Sequence, residues 1–124
     1  MSFQRMCALS DIKDPGSLRV ECAAVDAEAI VVVRFEGEVF ALEDRCTHED
    51  VPLSEGDVEE IDGVPTIECW RHGSCFDLCT GEPTNLPATE PVAVYPVRVE
   101  GEDVYVDTEA DAASDVRLPH AASN

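Results

Sequence analysis

Cationic residues are scarce in this chain. Eight lysines and arginines stand against 27 aspartates and glutamates among 124 residues, a formal charge of −19 at neutral pH. Nucleic acid and anionic membrane would both repel such a surface, so neither is expected as a partner. A basic face on another protein is attracted instead, and charge-steered encounters of that kind are typically small and transient. The same acidity also serves solubility or a saline habitat. Long apolar runs are missing too. No stretch approaches the ~20 apolar residues of a membrane span, and Met1 to Leu9 has one arginine and no apolar run of signal length. The expectation is a cytoplasmic protein. Histidine is the third scarcity, with three in the whole chain. One of them, His120, sits in a polar, alanine-rich stretch near the end, so the placement of the other two carries weight. No internal repeat is visible, and the length suits one domain with a real core.

Those two histidines each lie beside a cysteine, in Cys46-Thr47-His48 and Cys69-Trp70-Arg71-His72. Each segment delivers one thiolate and one imidazole, giving a Cys2His2 set built from mixed pairs. A binuclear [2Fe–2S] centre of the Rieske kind places two cysteines on one iron and two histidines on the other. Two loops that each carry one of each kind can straddle such a cluster. Zinc also takes two cysteines and two histidines, although its usual spacing pairs like with like. An empty, degenerate site is a further reading. Cys46, Cys69, Cys75 and Cys79 would make an all-cysteine iron–sulfur set, which leaves His48 and His72 idle. With only His120 to spare, no separate two-His-one-carboxylate iron site can be assembled. The chain therefore offers an electron-transfer site, no catalytic residues and no evident small-molecule substrate site.

The stretch Cys46-Thr47-His48, then Ile67-Glu68-Cys69-Trp70-Arg71-His72-Gly73-Ser74-Cys75-Phe76-Asp77 and Thr80-Gly81, resembles the cluster-binding region of bacterial Rieske-type ferredoxins, carriers that accompany ring-hydroxylating and other non-haem iron oxygenases. The likeness runs from about Arg5 to Asp107. Three departures touch no ligand: a slightly long spacer between His48 and Cys69, Trp70 where a proline is common, and Glu49-Asp50 where glycine or Leu-Gly is usual. The resemblance implies one Rieske-type [2Fe–2S] cluster, with Cys46 and Cys69 on the inner iron and His48 and His72 on the outer one. It implies a soluble carrier passing single electrons from a flavoprotein ferredoxin reductase to a terminal oxygenase, or to another redox protein with a basic docking face. Such a carrier performs no catalysis alone. The acidic version of the motif also resembles ferredoxin-like proteins encoded beside sulfur-mobilisation (SUF) genes in actinobacteria, which makes an accessory role in cluster assembly the alternative. A small subunit of a larger reductase, of the nitrite reductase type, commonly lacks the ligands present here.

Membrane-anchored Rieske proteins carry an extra, disulfide-bonded cysteine in each binding loop, and this chain has none at those places. Cys7, Cys22, Cys75 and Cys79 then read as free thiols without an assigned role. Around the ligands, N–H groups near Gly73 and the Ser74 hydroxyl are expected to bond cluster sulfur. Phe76 stands where high-potential relatives have tyrosine, and Trp70 reads as a core or lid residue. Asp44, Glu49 and Asp50 bring negative charge. A potential toward the low end of the Rieske range of about −150 to +300 mV follows.

The expected fold is all-β, an antiparallel sandwich or barrel with a small cluster-binding lobe at one end. Strands are expected at 17–23, 29–35, 39–42, 58–61, 66–69, 74–78, 92–100 and 103–107. Glu36-Gly37-Glu38, Asp62-Gly63-Val64-Pro65 and Gly101-Glu102 supply the turns. In 74–78 the alternation sends Cys75 and Asp77 one way, Phe76 and Leu78 the other. Cys79 to Pro83 reads as a turn, and Pro96 as an edge position or bulge. Residues 1–108 are expected to form the Rieske [2Fe–2S] domain, and 109–124 a disordered, acidic and alanine-rich tail by composition.

Overall fold

A computed structural model describes residues 3–22, 28–46, 51–70, 73–85 and 90–108. The tail expected at 109–124 lies outside the described residues, as do His48 and His72. Ten strands follow in order: β1 (Phe3–Ala8), β2 (Gly16–Glu21), β3 (Ala29–Phe35), β4 (Glu38–Glu43), β5 (Val58–Ile61), β6 (Val64–Glu68), β7 (Cys75–Asp77), β8 (Val94–Tyr95), β9 (Val97–Glu100) and β10 (Asp103–Asp107). Single 3-10 turns cover Leu9–Asp11 and Leu53–Glu55, and no α-helix occurs among the described residues. The strands make three antiparallel sheets, ordered β1-β10-β9, β2-β3-β4-β8 and β5-β6-β7. No helix is long and apolar enough to cross a membrane.

The middle sheet organises the rest. Its β3 reads Ala-Ile-Val-Val-Val-Arg-Phe, a β-branched run with no polar alternate until Arg34, which suits a strand covered on both faces. Val31 and Val33 point with Phe40 and Leu42 into one core, which also holds Leu53, Ile67, Phe76 and Leu78. Ile30 and Val32 point with Ala41 into a second core, closed by Cys7, Val104 and Val106 of the first sheet. The first and middle sheets are the body of the sandwich. The third sheet is a separate lobe, attached through the first of these cores.

Several boundaries differ from the sequence reading. β1 was not expected, because its polar-rich Phe-Gln-Arg-Met-Cys-Ala buries only Cys7 fully and takes its pairing from β10. The expected strand 92–100 is two strands. Pro96 ends β8 on the middle sheet, and β9 begins beside β10 on the other, so the proline marks a crossing between sheets, with both strands at edges. The lobe hairpin turns through Asp62-Gly63 alone, with φ of 52° and 82°, the two-residue type whose twist matches antiparallel strands. Pro65 then sits inside β6. The β7 ladder begins only at Thr66, so no ladder bond requires the N–H that proline lacks.

Candidate metal centre

Cys46 follows the end of β4 and Cys69 follows the end of β6 at once, so two strand ends from different sheets deliver the two thiols. Both are buried, at 2% and 0% exposure, in the core that joins body to lobe. Each opens a loop closed by its own backbone. The Cys46 N–H donates to the Val51 carbonyl at 2.9 Å, and the Cys69 N–H to the Ser74 carbonyl at 2.6 Å. In both loops the acceptor stands five places after the cysteine. His48 falls inside the first span and His72 inside the second, although neither is among the described residues.

The return leg of the first loop lies against the strand carrying the second cysteine. Asp57 accepts the Glu68 N–H at its carbonyl, at 2.9 Å. Gly56 comes so near that a methyl group there would stand 1.6 Å from the Glu68 carbonyl oxygen. A side chain at this position is therefore incompatible with the approach of the two loops. The sequence reading missed Gly56, because its φ of −96° is ordinary and only tertiary contact requires the missing Cβ.

Asp44 plays a different part from the one expected of it. Its side chain is fully buried, and one carboxylate oxygen accepts from Arg19 Nη1 at 2.8 Å and from the Ser54 hydroxyl at 2.7 Å. The other accepts the Ser54 N–H at 2.7 Å. Arg19 compensates the charge that was expected to lower the cluster potential. The carboxylate instead fastens the far leg of the first loop to the strand end from which Cys46 leaves.

The residues around the second loop are likewise placed. Gly73, at φ 78°, donates its N–H to the Cys69 carbonyl at 2.9 Å, so the sulfur-bonding role expected near it does not fall to this N–H. Ser74 is fully buried, and Phe76 packs in the same core as both cysteines. Trp70 is 51% exposed, which removes the core reading and leaves it at the surface beside Cys69. Cys75 sits across β7 from Phe76. Its register neighbours Glu68 on β6 and, one strand further, the Glu59–Thr66 pair share its face, away from the cysteine core. Burial first, and then Glu68 and Glu59, push the Cys75 thiol above the usual range. That disfavours the thiolate an all-cysteine cluster would need. Cys79, in the turn after β7, is partly buried against the joining core and has its N–H capped by Asp77 at 2.7 Å.

Fold and loops together define a class: a small β protein whose lobe is anchored by two cysteine-headed loops. Residues 2–96 match the family described as the Rieske [2Fe-2S] domain. The 3-phenylpropionate/cinnamic acid dioxygenase ferredoxin subunit of Escherichia coli (strain K12) is 38% identical over 101 residues, or 82% of this chain and 89% of that protein. The ferredoxin of carbazole 1,9a-dioxygenase from Nocardioides aromaticivorans IC177 superposes with a TM-score of 0.74 at 31% identity, covering 86% of this chain and 97% of that one. A chain in the complex of reduced oxygenase and oxidised ferredoxin in carbazole 1,9a-dioxygenase gives 0.73 at 37% identity, covering 86% and 93%. The chain belongs to the Rieske [2Fe–2S] domain family. Its cofactor is one Rieske-type [2Fe–2S] cluster, and the two buried, loop-heading thiols have the chemistry of that cluster's cysteine half.

Proposed function

We propose that Cys46, His48, Cys69 and His72 are the four ligands, with the cysteines on the inner iron and the histidines on the outer one. The observation that carries this reading is the equivalence of the loops, each headed by a buried cysteine bonded five residues on and each spanning one histidine. When bound, the cluster takes up and returns a single electron. The chain's own residues hold the thiolate end in an apolar core that excludes water, and brace both loops from the polypeptide side.

The protein then acts as a cytoplasmic ferredoxin that carries electrons from a flavoprotein reductase to a terminal oxygenase. The dioxygenase ferredoxin relatives support an oxygenase as acceptor. The lobe supports a basic docking face on the partner. Glu55, Asp57, Glu59, Glu60, Asp62 and Glu82 are all exposed there, with no lysine or arginine among residues 51–70 and 73–85. Residues 1–108 are the working domain, with 109–124 a tail outside it. Alanine at each of the four ligand positions tests the assignment. Each variant is expected to lose the visible absorption of the cluster, and a His48 or His72 variant that keeps the full Rieske spectrum contradicts it.

A further inference from the structure

The chain leaving the lobe passes back along the second loop, and one side chain there bonds it at two points. Asn85 Oδ1 accepts the Cys75 N–H at 2.7 Å, and Asn85 Nδ2 donates to the Gly73 carbonyl at 2.9 Å. Both partners are backbone groups of fixed polarity, so the orientation of the amide is determined by them. The neighbouring Thr84 adds bonds of its own, from its N–H to the Cys75 carbonyl at 2.8 Å and from its hydroxyl to the same oxygen at 3.2 Å.

The two groups that Asn85 holds stand on either side of Ser74. Ser74 is fully buried, and its carbonyl closes the loop by accepting from Cys69. Gly73, the other flank, is in the left-handed region and bonds the Cys69 carbonyl. The Asn85 amide thus does for the exit of this loop what a neighbouring strand does elsewhere in a sheet. It fixes the backbone that orients Ser74, while itself remaining exposed at the surface.

We infer that Asn85 is a positioning residue that sets the reduction potential of the cluster by holding the Gly73–Cys75 turn in place. The inference rests on the ligand assignment proposed above. Reduction adds one negative charge to the cluster, and donors held toward it favour that state. Releasing the turn loosens the Ser74 donor and disfavours the added electron. The midpoint is expected to fall by up to a tenfold change in the reduction equilibrium, about 59 mV for a one-electron couple.

The test compares the midpoint potentials of the cluster-loaded wild type, Asn85→Ala, Asn85→Asp and Thr84→Val by film voltammetry. Asn85→Ala loses both bonds. Asn85→Asp keeps an acceptor for the Cys75 N–H but sets an oxygen against the Gly73 carbonyl, so its midpoint should fall at least as far. Thr84→Val removes a hydroxyl whose main acceptor, the Cys75 carbonyl, keeps a backbone partner and whose contact with Asn85 Oδ1 is long at 3.5 Å, and should stay within about a twofold change of the equilibrium. Hydrogen exchange at the Cys75 amide gives a second readout that needs no comparison of loaded variants. It should quicken at least tenfold in Asn85→Ala and much less in Asn85→Asp, which keeps the acceptor. Unchanged midpoints in both Asn85 variants, or unchanged exchange in Asn85→Ala, overturn the inference. A wild type without a Rieske signal instead overturns the ligand assignment.

Discussion

The body and the lobe of this molecule are held together by different means. In the body each of Arg5, Arg19, Arg34, Arg45 and Arg98 faces a carboxylate: Asp103, Asp44, Asp14, Glu43 and Glu100 respectively. Long ladders and β-branched residues do the rest, with β2, β3 and β4 paired over six residues at each junction. The lobe has short strands and, among its described residues, no cation to offset its carboxylates. Its shape comes from loops closed on their own backbone, from the Asp44 and Asn85 side chains, and from a glycine pressed against a carbonyl. The body is thus a scaffold fixed by apolar periodicity. The lobe is a polar fitting mounted on it, where single atoms decide whether two loops can meet.

The sharpest way to break that contrast is to add one methyl group to each region. Gly56→Ala is expected to cost at least about 3 kcal/mol and to impair cluster loading, because backbone must move to admit the methyl. Gly37→Ala, in the β3–β4 turn with nothing within 4 Å of the new atom, should cost only about 1 kcal/mol through its φ of 83°. Equal losses in thermal unfolding would show that the lobe tolerates error as the body does.

Ion pairs give the next largest effect. Asp44→Ala strips three hydrogen bonds from a buried site and should cost about 2 to 3 kcal/mol in denaturant unfolding. Asp103→Ala breaks the exposed pair with Arg5 and should leave the unfolding midpoint almost unchanged. Charge reversal probes the surface rather than the joint. With cytochrome c as a basic acceptor, Glu59→Lys and Glu60→Lys should slow electron transfer several-fold at low ionic strength, and Glu36→Lys in the body far less. The difference should vanish near 1 M salt, where the Debye length is about 3 Å. Equal slowing by all three would mean that overall charge, rather than the lobe, steers the encounter.

The smallest effect concerns thiols, where body and lobe should agree. Burial is the main cause holding Cys7 and Cys75 above the usual thiol value of 9.0. Because the folded values are raised, their contribution to stability is fully present below pH 9 and is lost as pH climbs through the folded values. Unfolding midpoints should therefore be level from pH 7 to about 9 and decline above it. At pH 8 alkylation should reach the partly exposed Cys22 and Cys79 before either buried thiol.

What could be read from the sequence follows the same division. The β-branched run of β3 and the turn residues at 36–37 and 101–102 announced most of the body, and those at 62–63 the lobe hairpin, because period and turn chemistry are local properties. The two Cys–His pairs pointed to a Rieske-type cluster, the cofactor of the family the chain belongs to, since those residue types are themselves the chemistry. β1 escaped because its pairing partner is almost the whole chain away. Gly56 and Asn85 escaped because nothing in their own neighbourhood distinguishes them, and only the meeting of distant backbones does. Asp44 was legible as a charge but not as a paired one, since Arg19 reaches it from another strand.

The central claim is that each of the two loops brings one cysteine and one histidine to the same cluster. It is tested most directly by EPR of the dithionite-reduced protein, with pulsed measurement of nitrogen hyperfine coupling. A Rieske-type signal coupled to two histidine nitrogens, one of them lost in His48→Cys and the other in His72→Cys, is the expected result. A [2Fe–2S] signal without nitrogen coupling, or a colourless protein holding zinc, would contradict it.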